Sequence, residues 1–327
     1  MNFLLNSVLS ARLQIPQSQN FADLTLQSEA DDLGMVNVGI AIANSLSVVG
    51  CIFNLVTAWI LRTYHFTLGK MVVALSLMDL ISSIISLFAM VKSQSQFFCD
   101  VQGFFWFFGC GGSLVWTVCF AHALFISSKF NSIGLLENMF KYYLWISTGV
   151  ALILGIFAAI MNFFTIEQSV ETCYHHTSPN KVDWSGLILM IIPTILALLC
   201  CGICYGSAMR KLRVIRGRRH LELILYPLLL IVCDFPAMAL IIAIQINDNW
   251  QVPFWILFVS NFLLNSQGIL NAIAYGFSRR IIEGYKNKFC PSEITPMEWE
   301  ETFEEEDERD IDDQEIDRQD STVGLIR

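Results

Sequence analysis

The sequence predicts an all-α membrane protein: a seven-transmembrane helix bundle with a short amphipathic helix after the seventh span. Three observations carry this reading. Seven stretches are long and apolar, the composition is 54% hydrophobic with only 15% charged residues, and the basic residues are sorted by loop. The stretches are Val36–Leu61, Met71–Val91, Phe98–Ser127, Tyr142–Phe164, Ser185–Met209, Leu221–Ile246 and Val252–Phe277. Each exceeds the roughly 20 residues with which an α-helix crosses about 30 Å of hydrocarbon. None shows the polar stripe that a helix of a soluble protein requires.

An odd number of spans places the termini on opposite sides. The loops 62–70, 128–141 and 210–220 and the stretch 278–290 then share one face and hold 14 Lys and Arg, six of them Arg210, Lys211, Arg213, Arg216, Arg218 and Arg219. The opposite face holds three, Arg12, Lys92 and Lys181. Basic residues favour the cytoplasm, so the expectation is a plasma-membrane protein with its N-terminus outside. Residues 1–35 form an extracellular segment, 36–290 the membrane domain and 291–327 an acidic cytoplasmic tail. Residues 293–327 alone carry 15 Asp and Glu against three Arg, so the net charge of −9 describes the tail and the remainder is +3. A run such as Glu304-Glu305-Glu306-Asp307-Glu308 buries no apolar area and is expected to be disordered. Met1–Ala11 is apolar but lacks a basic start and a cleavage pattern, so it is not read as a removed leader.

Most of the ten cysteines lie within spans, where they act as small apolar fillers. Cys99 opens the third span outside, and Cys173 lies mid-way along the outer loop 165–184. Both face an oxidising compartment, where a disulfide persists. A bridge would tie the loop over the bundle; the alternative is two free thiols. Cys290, closing the amphipathic segment, is a candidate for lipidation.

Ionisable groups at membrane depth are functional candidates by default. Asp79, in Leu75-Ser76-Leu77-Met78-Asp79-Leu80, must face the bundle interior. Asn54, Ser113 and Asn271 are its expected partners; Ser113 is 14 residues past Cys99, about 21 Å down a helix. Oxygen ligands of this kind suit a sodium ion, and a hydrogen-bond network without an ion is the alternative. Asp234 precedes Pro236 by two residues, where a helix-interior proline is expected to kink span six. If Asp79 and Asp234 point into one cavity, one of them holds a proton or a cation lies between them. Pro193, Pro227, Pro236 and Pro253 suggest that spans five to seven adopt two packings. His122 lies near the inner end of span three, either as a gate or as a packed interfacial histidine.

The chain resembles a G-protein-coupled receptor of the cAMP-receptor-like branch known from slime moulds and other protists. The resemblance covers about residues 36–290. It rests on Phe108-Gly109-Cys110 with Ser113 and Val115-Trp116-Thr117-Val118-Cys119, on Lys141-Tyr142-Tyr143, on Leu225-Tyr226-Pro227 through Cys233, and on Gln267-Gly268-Ile269-Leu270-Asn271 through Tyr275-Gly276. It implies a disulfide between Cys99 and Cys173, a sodium pocket at Asp79, Ser113 and Asn271, a switch at Asn271 and Tyr275, and a hinge at Pro236. It also implies a heterotrimeric G protein as partner. Ala272 replaces the proline of the switch, Asp234 the aromatic toggle, and Ala121-His122-Ala123 the Asp-Arg-Tyr triplet. The branch suggests cAMP, yet a cyclic phosphate wants Arg or Lys. The outer halves of the spans contain neither, so an uncharged or cationic small molecule is expected, or no diffusible ligand.

The acidic tail shares a side with the basic loop, which is consistent with shielding of the docking face, with recruitment of an arrestin-like protein, or with a solvated tail that has no target. No nucleic-acid contact, metal centre or enzymatic cofactor is expected. A retinal photoreceptor needs a lysine in the last span, and 252–277 has none. A proton- or cation-translocating protein, or a receptor fold that no longer signals, remains the rival reading.

Overall fold

The computed structural model describes residues 19–88, 95–130, 133–161, 164–167, 172–175, 187–212, 221–246, 252–276 and 279–289. The chain divides into two units, Met1–Ile281 and Ile282–Arg327. The first contains α1 (Gln19–Ile60), α2 (Thr67–Phe88), α3 (Gln96–Phe130), α4 (Ile133–Ile160), β1 (Phe164–Glu167), β2 (Thr172–His175), a π turn at Leu187–Ile191 leading into α5 (Ile192–Leu212), α6 (Leu221–Ile246), α7 (Phe254–Asn265) and α8 (Gln267–Gly276). The described part of the second unit belongs to α9 (Arg279–Phe289), where Tyr285 and Phe289 stack with centroids 5.8 Å apart. Its aromatic pair and its basic residues at Lys286 and Lys288 fit the amphipathic segment expected after the last span.

Five stretches among the described residues are long and apolar enough to cross a membrane: Gly34–Ile60, Thr67–Phe88, Gln96–Lys129, Leu135–Ile160 and Ile188–Ala208. The pair α7 and α8, bent by 53° at a short break, makes a sixth when taken as one span. Within the 26-residue α6, the described apolar stretch is Ile231–Ala243, shorter than a full span, so five or six of the seven expected spans are present among the described residues. The protein is therefore a helical membrane bundle. Its side chains are distributed accordingly, since Trp59, Trp145, Ile153, Ile203 and Trp255 are exposed on the outside of the helices while Trp116, Phe120 and Leu124 are fully buried. Lipid tails solvate such an outer surface, and tryptophans near helix ends suit the headgroup boundary.

The helices overrun several expected boundaries. The helix α1 begins at Gln19 rather than Val36, and α4 begins at Ile133 rather than Tyr142. Hydropathy marks what lies in lipid, whereas a helix continues into water wherever its residues are good helix formers. At its other end α4 stops at Ile160, short of Phe164. There Phe164-Thr165-Ile166 pairs antiparallel with His175, Tyr174 and Cys173. β-branched and aromatic residues favour this pleated pairing, so a small hairpin occupies part of the loop between α4 and α5. The helix α6 runs uninterrupted through Pro227 and Pro236. The marked bend lies one span later, at Ser266.

Small residues let the helix backbones approach. A Cβ added at Gly50 of α1 would meet Ile269 Cα at 2.7 Å and the Gly268 carbonyl at 2.9 Å. At Gly109 of α3 it would meet the Ser82 amide nitrogen at 2.7 Å, and at Gly155 of α4 the Phe104 carbonyl at 2.8 Å. Within a bilayer such close packing, rather than exclusion of water, holds helices together. The turn joining α1 to α2 is equally tight. Arg62 there has φ 54°, and a Cβ at Gly69 would collide with the Thr63 carbonyl oxygen.

Gly50→Val is expected to lower the stability of the purified chain by about 1–3 kcal/mol, because the colliding atoms are backbone. Thermal melting in detergent checks this. Gly149→Ala, at a glycine with open space around its Cβ position, is expected to leave the melting temperature within a degree or so of the parent.

Candidate functional site

A seam of polar side chains crosses the middle of the first unit. Asp79, 3% exposed on α2, is its centre. Asn271 Nδ2 on α8 donates to Asp79 Oδ2 at 2.7 Å, and the Ser113 side chain on α3 adds a second hydrogen bond to the carboxylate. Gln267 Nε2 donates to Ser113 Oγ at 3.2 Å. Two of the three expected partners thus surround Asp79. The third, Asn54 on α1, donates instead to Ser76 Oγ at 3.0 Å. Ser76 precedes Asp79 by three residues and presents the same helix face, so it intercepts the α1 amide first.

Gln267 and Ser76 are the partners that residue-type reasoning missed. Gln267 lies four residues before Asn271, which aligns both on one face of α8. That i, i+4 spacing was the available signal.

Asp79 and Asp234 both line one cavity of about 80 Å³. Its polar wall includes Asn44 of α1, Ser83 and Ser86 of α2, Thr194 of α5 and Asn265 of α7. Trp106, Phe107 and Leu154 contribute apolar surface. Asp79 accepts the hydrogen bonds described above. Asp234 accepts none and forms no ion pair among the described residues. Pro236, two residues on, is half-buried in the same helix.

The break between α7 and α8 is satisfied by side chains. Ser266 Oγ donates to the Phe262 carbonyl at 2.7 Å, and the Ser266 N–H reaches the Phe262 and Leu263 carbonyls. Ser47 Oγ of α1 donates to the Asn265 carbonyl at 2.5 Å. Irregular backbone at membrane depth is tolerated only with such replacements. At the C-terminal end of α8, Tyr275 Oη lies 2.8 Å from Thr63 Oγ1, joining the end of the last span to the first turn.

His122 Nδ1 lies 2.8 Å from Tyr143 Oη, with the two rings edge to face. This geometry favours a packed role at the α3–α4 contact. Lys70 reaches Glu137 at 3.6 Å and sits 5.8 Å over the Phe140 ring, pinning α2 to α4 weakly.

Cys99 is fully buried and disulfide-bonded. Cys173 occupies β2 opposite Ile166, and both strands lie against α3; its side chain lies outside the described residues. Arg210 and Lys211 fall in the last turn of α5, with side chains also outside that description. Arg213, Arg216, Arg218, Arg219, Cys290 and the acidic tail lie outside the described residues altogether.

Fold and cavity together define a polytopic helical membrane protein with a polar chamber among its spans. No family model matches the chain. Cyclic AMP receptor-like protein A of Dictyostelium discoideum is 23% identical over 293 residues, covering 88% of this chain and 76% of that protein. Cyclic AMP receptor-like protein G of the same organism is 30% identical over 184 residues, 52% of this chain and 34% of that protein. The chain is similar, at modest identity, to these two proteins named as cyclic AMP receptor-like.

Asn271→Ala is expected to cost about 1.5–3 kcal/mol, the range for a hydrogen bond to a charged group. Tyr275→Phe, which removes one neutral hydroxyl contact, is expected to cost about 1 kcal/mol. Melting of both variants in one lipid mixture compares them.

Proposed function

We propose that the chain is a plasma-membrane receptor, amino end outside, that couples a small extracellular ligand to a heterotrimeric G protein through movement of α5 to α8. The observation that carries this is the cavity, whose lining draws residues from all seven expected spans. A ligand there touches every helix at once. It therefore discriminates between two packings of the bundle, which is what a ligand must do to shift a conformational equilibrium.

The break at Ser266 and the Tyr275–Thr63 contact support a moving last span. Asn271, bonded to Asp79, sits between these two features. A disulfide between Cys99 and Cys173 would fix the hairpin over the outer end of α3. A sodium ion beside Asp79, Ser113 and Asn271 belongs to the same reading. The tail is proposed to shield the basic inner face, with an arrestin-like partner as its other use.

Cation translocation is the second reading, favoured by two carboxylates on one cavity wall. Purified chain in nanodiscs is expected to accelerate nucleotide exchange on a reconstituted G protein and to pass no current in a planar bilayer. Current without exchange would select translocation. Deletion of 293–327 is expected to raise basal exchange two- to fivefold, the size of effect of roughly 0.4–1 kcal/mol of released screening.

A further inference from the structure

We infer that the cavity recognises a small organic ammonium ion: an amine bound at Asp234, with its apolar body against Trp106 and Phe107. This deepens the receptor reading, on which its physiological meaning rests, while the binding itself does not require a G protein.

The two carboxylates differ in a way that points to a missing partner. Asp79 is already bonded by Asn271 and Ser113. Asp234 lines the same space with no hydrogen bond or ion pair among the described residues. Ser83 and Ser86, 4% and 3% exposed, also line it, and their hydroxyls have no partner among the described residues. A buried serine in a helix ordinarily donates to a carbonyl one turn back; here both are left facing the cavity. Their i, i+3 spacing puts them on one face of α2. Together with Asp234 they offer three acceptors, the number of hydrogens that an –NH3+ group donates.

Charge selects the same class. Among the described residues no Lys, Arg or His lines the cavity, so two acidic side chains share its wall without a basic neighbour there. A monovalent cation offsets that repulsion, and an anion such as a cyclic phosphate increases it. The aromatic wall separates an organic cation from a bare one. Sodium or calcium asks for oxygen ligands on most sides, whereas Trp106 and Phe107 give the wall an aromatic part that suits a cation bearing an apolar body.

The test uses the full chain in zwitterionic nanodiscs at pH 7, with melting followed by intrinsic tryptophan fluorescence. The probes are 2-phenylethylamine, n-butylamine, the neutral isostere 2-phenylethanol, and sodium chloride at matched ionic strength. At about a hundredfold excess over Kd, 2-phenylethylamine is expected to raise the melting temperature by roughly 5 °C. The alcohol is expected to give less than a fifth of that shift. Asp234→Asn is expected to abolish the amine response, and Ser83→Ala with Ser86→Ala to weaken the amine at least about tenfold.

Absence of any amine shift, an equal shift with 2-phenylethanol, an equal shift with sodium alone, or an undiminished amine shift in Asp234→Asn would each overturn the inference. If Asp234→Asn does not fold, the double serine variant decides, and unchanged amine affinity there is the overturning result. A chain that binds the amine yet fails to activate nucleotide exchange would overturn the receptor reading and leave this one standing.

Discussion

Hydrocarbon offers no hydrogen bonds, and this constraint organises the whole bundle. Every polar group carried into the membrane must find its partner on another helix, on its own helix, or in an internal space. The polar residues that do so tie together segments far apart in sequence. Asp79 with Asn271 joins α2 to α8, Asn54 with Ser76 joins α1 to α2, and Ser47 with the Asn265 carbonyl joins α1 to the end of α7. The apolar side chains cannot supply this specificity, because a leucine meets similar surroundings in lipid and in the bundle. Glycines at 50, 109 and 155 then bring the backbones close enough for dispersion contacts to add to the polar ties.

Against that background the cavity is an exception. Its walls hold carboxylate and hydroxyl groups that the other described residues do not fully engage. Incomplete pairing in one place is how a binding protein keeps affinity in reserve for a guest. Trp106 and Phe107 beside those groups give the space an apolar side as well as a polar one, the combination typical of small-molecule sites.

Much of this was legible in the residues. Five of the expected spans, or six with the bent pair, stand as apolar helices of spanning length, because lipid imposes a minimum run on any spanning helix. Asp79 was recognisable as an interior residue, and Ser113 and Asn271 as its neighbours, because few groups at that depth could satisfy a carboxylate. Other features were hidden for identifiable reasons. The short polar side chain of Asn54 suits Asp79, but its contact with Ser76 depends on how α1 is rotated, which hydropathy does not encode. The bend was expected at Pro236, since a missing amide donor is visible in sequence. The bend found at Ser266 carries no such mark, and Ser47 of another helix donates to the carbonyl beside it. The strand pairing of Phe164–Glu167 with Thr172–His175 was masked by a hydrophobic run that continued past the helix end.

The interrupted seventh span has a mechanical corollary. Two rods meeting at 53° convert a push along one into a largely sideways sweep of the other. Because the backbone ladder is broken at the joint, twisting of Phe254–Asn265 about its own axis is only partly passed to Gln267–Gly276. A modest shift at the Phe254 end would thus emerge as lateral travel at the Gly276 end, where the phenol of Tyr275 meets the threonine hydroxyl of the first turn.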